Sequence, residues 1–411
     1  MLEVHRLDYI LNIIGSVCER GLEFLKGIKF PLRGLSVGYQ QVHHPNQIAP
    51  LGACASTLSF LEVRPGTISL QPTKMVFPLL ETLRLPINDC ISSTSIFYSF
   101  PNLKRIDLIA MNDDLNYEDV REDHEVNMAK LDLYDGPIPN LEILAGDAYA
   151  IHQSAFYCPV KKLLIDPLNE ERANRVILPL VRRCRPSILR IHLDIYHNEA
   201  SFDFLESFFA ELVDATELKE LWLVVALECT FTEGSSVEYF INDLPRRMAP
   251  LPIQSLSVSF CFPRCFEAYP DDYDQFVANF DLQLWVLMAA ETIPSLRHVI
   301  TFSMAHCTQT RYVITGVGDE ERGITTEPDY DGPWSFGSSY NVEEIPYDTT
   351  CMLRPSSSTS RATLRGIEPS IGIRDSFVYV REASESATSH SGSFEEDYDS
   401  DDEDEGESGE D

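Results

Sequence analysis

Basic residues are scarce in this sequence. Its 411 residues include 32 Lys and Arg against 65 Asp and Glu, which gives a formal net charge of −33. Each phosphate of nucleic acid is negatively charged, so nucleic acid would meet a repulsive field, and no basic stripe in the sequence offsets it. We therefore expect no nucleic-acid partner, and the acid excess favours a protein partner with a basic surface.

Long apolar runs are also lacking. No segment approaches the roughly 18 uncharged apolar residues of a membrane span, and Glu3, Arg6 and Asp8 interrupt the start that a signal peptide would need. The 10 cysteines are scattered, without the regular spacing of a disulfide scaffold. These features predict a cytoplasmic or nuclear protein with no membrane partner and with cysteines that are buried thiols.

Local catalytic and metal-binding motifs are missing too. The sequence contains no Gly-x-Ser-x-Gly elbow and no phosphate-binding loop, and His124-Glu125 lacks the second histidine of a zinc-protease helix. Cys261 and Cys265 have permissible zinc spacing, but the adjacent pair His306-Cys307 is geometrically awkward, which favours buried thiols. We expect a protein that is not an enzyme and that has no cofactor, metal or catalytic residue.

One six-residue pattern, here called the hexad, is present throughout much of the chain. Positions 1, 4 and usually 6 are apolar, and alternation at positions 4 and 6 is typical of a short strand with one buried face. The 10 copies are LRGLSV, LSFLEV, LETLRL, LKRIDL, LEILAG, VKKLLI, ILRIHL, LKELWL, IQSLSV and LRHVIT, which begin at Leu32, Leu58, Leu80, Leu103, Leu141, Val160, Ile188, Leu218, Ile253 and Leu296.

Prolines and amphipathic segments separate the hexads. Proline stops a helix and favours an extended chain, and one lies one or two residues before 8 of the 10 copies. The clearest helical stretches between copies are residues 170–183, 201–213, 235–248 and 271–290, and in the second a phenylalanine and leucine stripe recurs every three or four residues.

The alternation of short strands and helices predicts an α/β fold. Successive strands would be parallel, with each helix crossing over on the outside, and stacked units would form a solenoid because one unit cannot bury its own apolar face. A doubly wound α/β enzyme is the alternative, but it would use longer, β-branched strands.

The segments FPLLETLRL (77–85), FPNLKRIDL (100–108) and IPNLEIL (138–144) resemble the divergent repeats of fungal F-box and leucine-rich-repeat proteins. The resemblance covers roughly residues 30–303 and implies an irregular leucine-rich-repeat solenoid with short parallel strands on a concave face. In that family an F-box binds the adaptor of a cullin-type ubiquitin ligase, and the repeats recognise the substrate. No F-box-like Leu-Pro start precedes the first hexad here.

The chain divides into four expected regions. We expect an N-terminal capping helix in residues 1–30 and the solenoid in residues 31–303. A C-terminal cap with a loosely structured extension should follow in residues 304–380, and a disordered acidic tail in residues 381–411. The tail has 14 acidic residues, and Ser393, Ser400 and Ser408 precede acidic residues, as acidophilic kinase sites do; a purely solubilising tail is the alternative.

Hexad positions 3, 5 and 7 should project onto the concave face, because positions 1, 4 and 6 face the core. This face combines arginine, histidine and an exposed tryptophan, residue types that dominate binding energetics. The predicted partner-binding residues are Arg84, Arg105, Asp107, Asp166, Arg190, His192, Asp194, Glu220 and Trp222.

Three functions remain open from the sequence. The first is a protein-interaction module or scaffold that recognises a substrate, the second a degenerate F-box subunit that contacts the cullin-ligase adaptor, and the third an α/β enzyme of unknown chemistry.

Overall fold

The computed structural model describes residues 9–17, 26–27, 31–39, 49–64, 75–87, 92–110, 117–168, 172–195, 200–227, 234–261, 279–303, 308–316, 322–328 and 377–379. These residues form an α/β structure in which strands and helices alternate along most of the chain.

The described strands belong to a single sheet. They are β1 (Tyr9–Val17), β2 (Leu32–Tyr39), β3 (Phe60–Arg64), β4 (Thr82–Ile87), β5 (Arg105–Ala110), β6 (Ile143–Asp147), β7 (Lys162–Leu168), β8 (Ile188–Ile195), β9 (Glu220–Leu227), β10 (Ser255–Cys261), β11 (His298–Ser303), β12 (Thr308–Thr315), β13 (Gly323–Pro328) and β14 (Phe377–Tyr379).

The described helices follow individual strands. They are α1 (Ser93–Ser99), α2 (Tyr117–Asp132), α3 (Ala148–Gln153), α4 (Leu178–Cys184), α5 (Ala200–Leu212), α6 (Gly234–Met248) and α7 (Leu282–Thr292). A 3-10 helix lies at Ala49–Cys54, and a π-helical turn at Ala173–Ile177 leads into α4.

Strand order in the sheet follows chain order from β1 to β13, and β14 lies on the other side of β1. Neighbouring strands from β1 to β11 are parallel, whereas β12 and β13 are antiparallel. Each strand from β2 to β12 therefore pairs with the strands before and after it in the chain, as expected for a solenoid-like α/β fold. The prediction of an α/β structure with a mostly parallel sheet is confirmed.

The hexads explain the register of the sheet. Their position-4 side chains are fully buried in all ten, and they align across adjacent strands, as Leu83 does with Ile106 and Leu221 with Leu256. One copy is shifted. Ile188 pairs with the position-3 residues Lys162 and Glu220, so this hexad begins at Pro186.

A repeated backbone contact fixes the start of the strands. The carbonyl oxygen at hexad position 2 accepts hydrogen bonds from two successive amides of the next repeat, as Glu81 O does from Lys104 N and Arg105 N, both at 2.9 Å. Seven carbonyls make this double contact, those of Ser59, Glu81, Lys104, Lys161, Ser187, Lys219 and Gln254. The repeats thus share one geometry although their connecting segments differ in length.

Helices and hexads build one core. All seven described helices contribute side chains to the same buried cluster as hexad positions 1 and 4, so they lie on that side of the sheet. In α5, for example, Leu205, Phe208 and Leu212 are buried at helical spacing. We call the opposite side, which carries hexad positions 3, 5 and 7, the second face.

The predicted N-terminal capping helix is wrong for the described part of that region. Residues Tyr9–Val17 form β1, which pairs in parallel with β2, and Leu11 aligns with Leu35 at hexad position 4. The segment is rich in β-branched residues, and an otherwise unpaired edge of β2 is available to it. Pairing with that edge therefore outweighs the helical spacing of its apolar residues.

Two further expectations differ from the structure in detail. The hexad strands are 5 to 8 residues long, longer than the alternating positions alone indicated. Helix α7 begins at Leu282, because the Asp281 carboxylate accepts a hydrogen bond from Leu284 N at 3.0 Å and caps the helix there. Residues 271–278 of the predicted helical stretch lie outside the described residues.

Strands β12 and β13 replace the strand and helix alternation at the C-terminal end. Arg322 fixes the start of β13, because its guanidinium donates hydrogen bonds to the carbonyl oxygens of Ala290, Ile293 and Pro294 around the end of α7. These carbonyls lack helical partners, so Arg322 both caps α7 and joins it to the sheet.

Candidate functional site

The nine predicted binding residues belong to β4, β5, β7, β8 and β9, and the seven with described side chains lie on the second face. One row crosses the seven adjacent strands from β4 to β10 in register, in the order Arg84, Asp107, Ala145, Leu164, Arg190, Trp222 and Ser257. Asp166 and Asp194 are residues of β7 and β8 whose side chains lie outside the described residues.

An ion-paired group lies on the second face of β4 and β5. Asp107 accepts hydrogen bonds from Arg84 Nε at 2.8 Å and from Arg105 Nε at 3.0 Å, and all three side chains are largely buried. On the preceding strands, the Ser36 hydroxyl donates to Glu62 at 2.5 Å. Charge-assisted bonds of this kind hold the side chains in defined positions.

Trp222 is the centre of the second face, but it is not exposed as predicted. Only 4% of its surface is accessible. Its indole Nε1 donates to Glu220 at 2.6 Å, and the Lys162 ammonium lies 5.2 Å from the ring centroid. Alternation along a strand shows which face a side chain occupies, but not how closely its neighbours enclose it, so the exposure could not be read from the hexad.

Arg190 and His192 are also buried on the second face. Arg190 stands opposite Trp222 across the β8 and β9 pairing, and His192 stands opposite Val224. The structure therefore brings the predicted arginine, histidine and tryptophan together on adjacent strands.

Apolar side chains of the second face were missed from the sequence. Leu164, Val224, Ile300 and Phe302 are buried there, outside the main core cluster. Each occupies a hexad position 3, 5 or 7, or its continuation, so the same alternation that identified Trp222 could have identified them. Between them Ser257 and Ser259 are buried, and their hydroxyls have no hydrogen-bond partner among the described residues.

A carboxylate at the end of β6 has a structural role. Asp147 caps α3 by accepting from Tyr149 N and Ala150 N, and it pairs with Arg172 at 2.6 Å. Burial raises the pKa of Asp147, while the Arg172 guanidinium opposes that rise. Arg172 also lies over the Tyr149 ring at 4.5 Å, so the pair joins the strand end to α3 and to the chain before α4.

Between α2 and α3 lies a column of rings. The imidazoles of His124 and His152 stack with centroids 3.9 Å apart, and the Tyr157 hydroxyl lies 2.6 Å from His152 Nδ1. Burial lowers the pKa of His152 to about 3 and raises the pKa of Tyr157. Both groups are therefore neutral near neutral pH, so the rings pack together without an unpaired buried charge.

The described cysteines and carboxylates form no metal centre. No group of three His, Cys, Asp or Glu side chains in the described part of the chain could hold a metal ion. Cys158 and Cys184 are buried free thiols, and burial raises the pKa of each to about 12. The sequence's candidate zinc ligands have side chains outside the described residues, namely those of Cys261, Cys265, His306 and Cys307.

Comparison with family models, with curated proteins and with solved structures gives no match to this chain. No described helix has both the length and the apolar composition that crossing a membrane requires. The candidate phosphorylation sites Ser393, Ser400 and Ser408, and the whole tail of residues 381–411, lie outside the described residues.

Proposed function

We propose that this chain is a non-enzymatic protein-interaction module of leucine-rich-repeat type, which holds a protein partner against its second face as a scaffold or a substrate-recognition subunit. The observation that carries the proposal is the register-aligned row from Arg84 to Trp222, on the side of the sheet opposite the described helices.

The energetics of the row suit protein binding. Arginine and tryptophan are enriched among residues that dominate interface energies, particularly when they are held rigidly in dry surroundings. Trp222 is fixed by Glu220 and Lys162, and Arg84 and Arg105 are fixed by Asp107. Trp222 is 4% exposed, so a partner would reach the half-buried side chains of Arg84, Arg105 and Lys162 around it. Because these side chains are already held in place, binding costs them little further conformational entropy.

Two pairs of adjacent basic residues give a matched experiment. Arg105 and Lys162 occupy hexad position 3 on the second face, whereas Lys104 and Lys161 precede them at position 2 and are exposed at the start of the strands. Full-length tagged chain carrying Arg105→Ala with Lys162→Ala would be compared with chain carrying Lys104→Ala with Lys161→Ala. Both variants lose two positive charges.

We expect affinity capture and quantitative mass spectrometry to show a partner that the wild-type chain and the Lys104/Lys161 variant retain equally. The Arg105/Lys162 variant should lose about tenfold in affinity for it, equivalent to about 1.4 kcal/mol. Equal retention by both variants would contradict binding on the second face. Recovery of a cullin adaptor among such partners would assign the module to a ubiquitin ligase.

A further inference from the structure

Exposed apolar side chains are concentrated on one part of the helical side. Of the 10 large apolar side chains that are exposed among the described residues, 7 lie between Val76 and Ile138. Six of these are outside the second face, and we call them the outer apolar patch: Val76, Leu79, Tyr98, Val126, Leu133 and Ile138. Contiguous exposed apolar surface on a folded protein marks a site of interaction.

Contacts between successive repeats bring one half of the patch together. Phe77 N donates to Ser99 O at 2.8 Å, which places Val76 and Leu79 next to the end of α1 that carries Tyr98. Phe77 itself is buried, so the chain alternates between core and surface at this point.

The other half of the patch is joined to α1 in the same way. The ring of Phe97 lies 6.2 Å from that of Tyr134, which directly follows Leu133, and the Tyr134 hydroxyl donates to Pro137 O at 3.3 Å beside Ile138. The patch therefore spans the outer ends of three consecutive repeats.

Hydrogen bonds on the buried side of helix α2 hold the helix in place beneath the exposed residues of the patch. Asn127 is fully buried and its Nδ2 donates to Gln153 O at 2.8 Å, while Gln153 Nε2 donates to Asp123 at 2.6 Å. On the outer side, Val126 is 51% exposed and Leu133 is 85% exposed. Leu133 directly follows the last residue of α2, and its spacing of seven residues from Val126 places it near the end of the face that carries Val126.

Negative charge surrounds the apolar residues of α2. From Tyr117 to Asp135 the sequence has 7 Asp and Glu against Arg121 and Lys130, so 7 − 2 gives a net charge of −5. Glu122 and Glu125 are exposed on the same side as Val126, and Asp132 and Asp135 are exposed beside Leu133. A ligand for this surface must therefore combine apolar contact with positive charge.

We propose that the outer apolar patch is a second docking site, and that its ligand is a helical protein segment whose apolar face is flanked by Lys or Arg. A helix laid along α2 places side chains at spacings of three, four and seven residues, which matches Val126 and Leu133. The site lies on the opposite side of the sheet from the second face, so one chain can hold two partners at once.

A synthetic peptide can test this proposal without knowledge of the natural partner. The probe is a labelled helical peptide of about 16 residues, long enough to form a helix, with leucines on one face and lysines on the other. A second peptide has glutamate in place of every lysine. Binding to the full-length chain would be measured by fluorescence anisotropy for the wild type, for Val126→Gln with Leu133→Gln, and for the control Leu284→Gln.

Leu284 is a matched control because it is 55% exposed on α7, away from the patch. We expect the lysine peptide to bind the Val126/Leu133 variant about tenfold more weakly than the wild type, and the Leu284 variant as tightly as the wild type. Neither variant changes the net charge, so attraction to the acidic chain as a whole is constant.

The outcome that overturns the proposal is equal affinity of the lysine peptide for the wild type and the Val126/Leu133 variant, or equal affinity of the wild type for the two peptides. Because the substituted side chains are exposed, thermal unfolding followed by circular dichroism should show no loss of stability. The second-face variant Arg105→Ala with Lys162→Ala should still bind the peptide, so the two proposed sites are tested separately.

Discussion

Single residues set the local geometry of the repeats, and Gly146 shows this most clearly. It occupies hexad position 6, where most other copies have an apolar side chain that enters the core. Its φ of 135° is strained for any residue with a Cβ, and a Cβ there would overlap the carbonyl oxygen of Leu108 on the neighbouring strand. The imperfect hexad is thus a requirement of the turn from β6 into α3.

Replacing Gly146 with alanine should destabilise the chain by at least about 2 kcal/mol, because the backbone is strained and the neighbouring strand must move. Gly52→Ala is the control, since its Cβ would approach only the flexible end of Met75 and should change stability by no more than about 0.5 kcal/mol. Urea unfolding of both variants measures the difference. Equal midpoints would show that the β6 turn relaxes freely.

Elements are joined by polar and aromatic contacts as well as by the apolar core. His124 Nδ1 lies 2.8 Å from the carbonyl oxygen of His152, and since a carbonyl can only accept, the ring donates this bond from α2 to α3. Burial lowers the pKa of both histidines, and the Arg183 guanidinium lowers each further. The ring column therefore stabilises the junction only while both histidines are neutral.

The pH dependence of stability follows from this junction. In the unfolded chain a histidine has a pKa of about 6.5, whereas the pKa of folded His152 is about 3. The stabilisation is complete above the unfolded pKa, and it is lost as the pH falls through the interval from about 6.5 towards 3, because only the unfolded state then binds the proton.

We expect the imidazole NMR signals of His152 to show no titration between pH 7.5 and pH 5, the upper part of that interval, and a His152→Asn variant to lose less stability than the wild type over this range. Titration of His152 near its ordinary value would contradict this account of the α2 and α3 junction.

The sequence predicted elements where short-range patterns determine them. For nine of the ten hexads, the start predicted from the sequence agrees with the strand register of the sheet, because leucine-like side chains at positions 1 and 4 must enter the core. For the remaining copy, the predicted start at Ile188 is two residues too late. Its true position 1 is the buried Pro186, and proline does not fit a pattern that requires an aliphatic residue there. Strand β1 was missed because its conformation depends on the edge of β2, which no local pattern records.

At the scale of the whole molecule, the stabilising contacts lie between neighbouring repeats. Each strand from β2 to β12 pairs with the strands before and after it in the chain, so the free energy of unfolding is close to a sum of local terms. The second face shows the limit of sequence reasoning at this scale. Alternation placed Arg190 and Trp222 on the same face, but their pairing and their enclosure depend on the true register of β8 and on Lys162, Glu220 and other side chains that the sheet brings together.

A cavity in a central repeat should therefore make that repeat and its neighbours unfold at a lower urea concentration than the rest of the chain. Leu221 is fully buried in β9, and Leu221→Ala should remove about 2 to 5 kcal/mol. With Trp334 replaced by phenylalanine in every variant, tryptophan fluorescence reports on Trp222 and Trp285, and it should then change at a lower urea concentration than the circular dichroism of the whole chain. Coincident transitions in this variant would show cooperativity beyond neighbouring repeats, and Leu284→Ala should leave both signals unchanged.

The carbonyl at hexad position 2, which accepts two hydrogen bonds from the next repeat, allows repeats to be gained, lost or lengthened during evolution. Where a repeat docks through this pair of amides, the stretch from one such carbonyl to the next is a self-contained cassette. The hexads joined by the double contact are spaced from 22 to 43 residues apart. Duplication, deletion or lengthening of a cassette would alter the size of both faces of the sheet while leaving the docking of its neighbours intact.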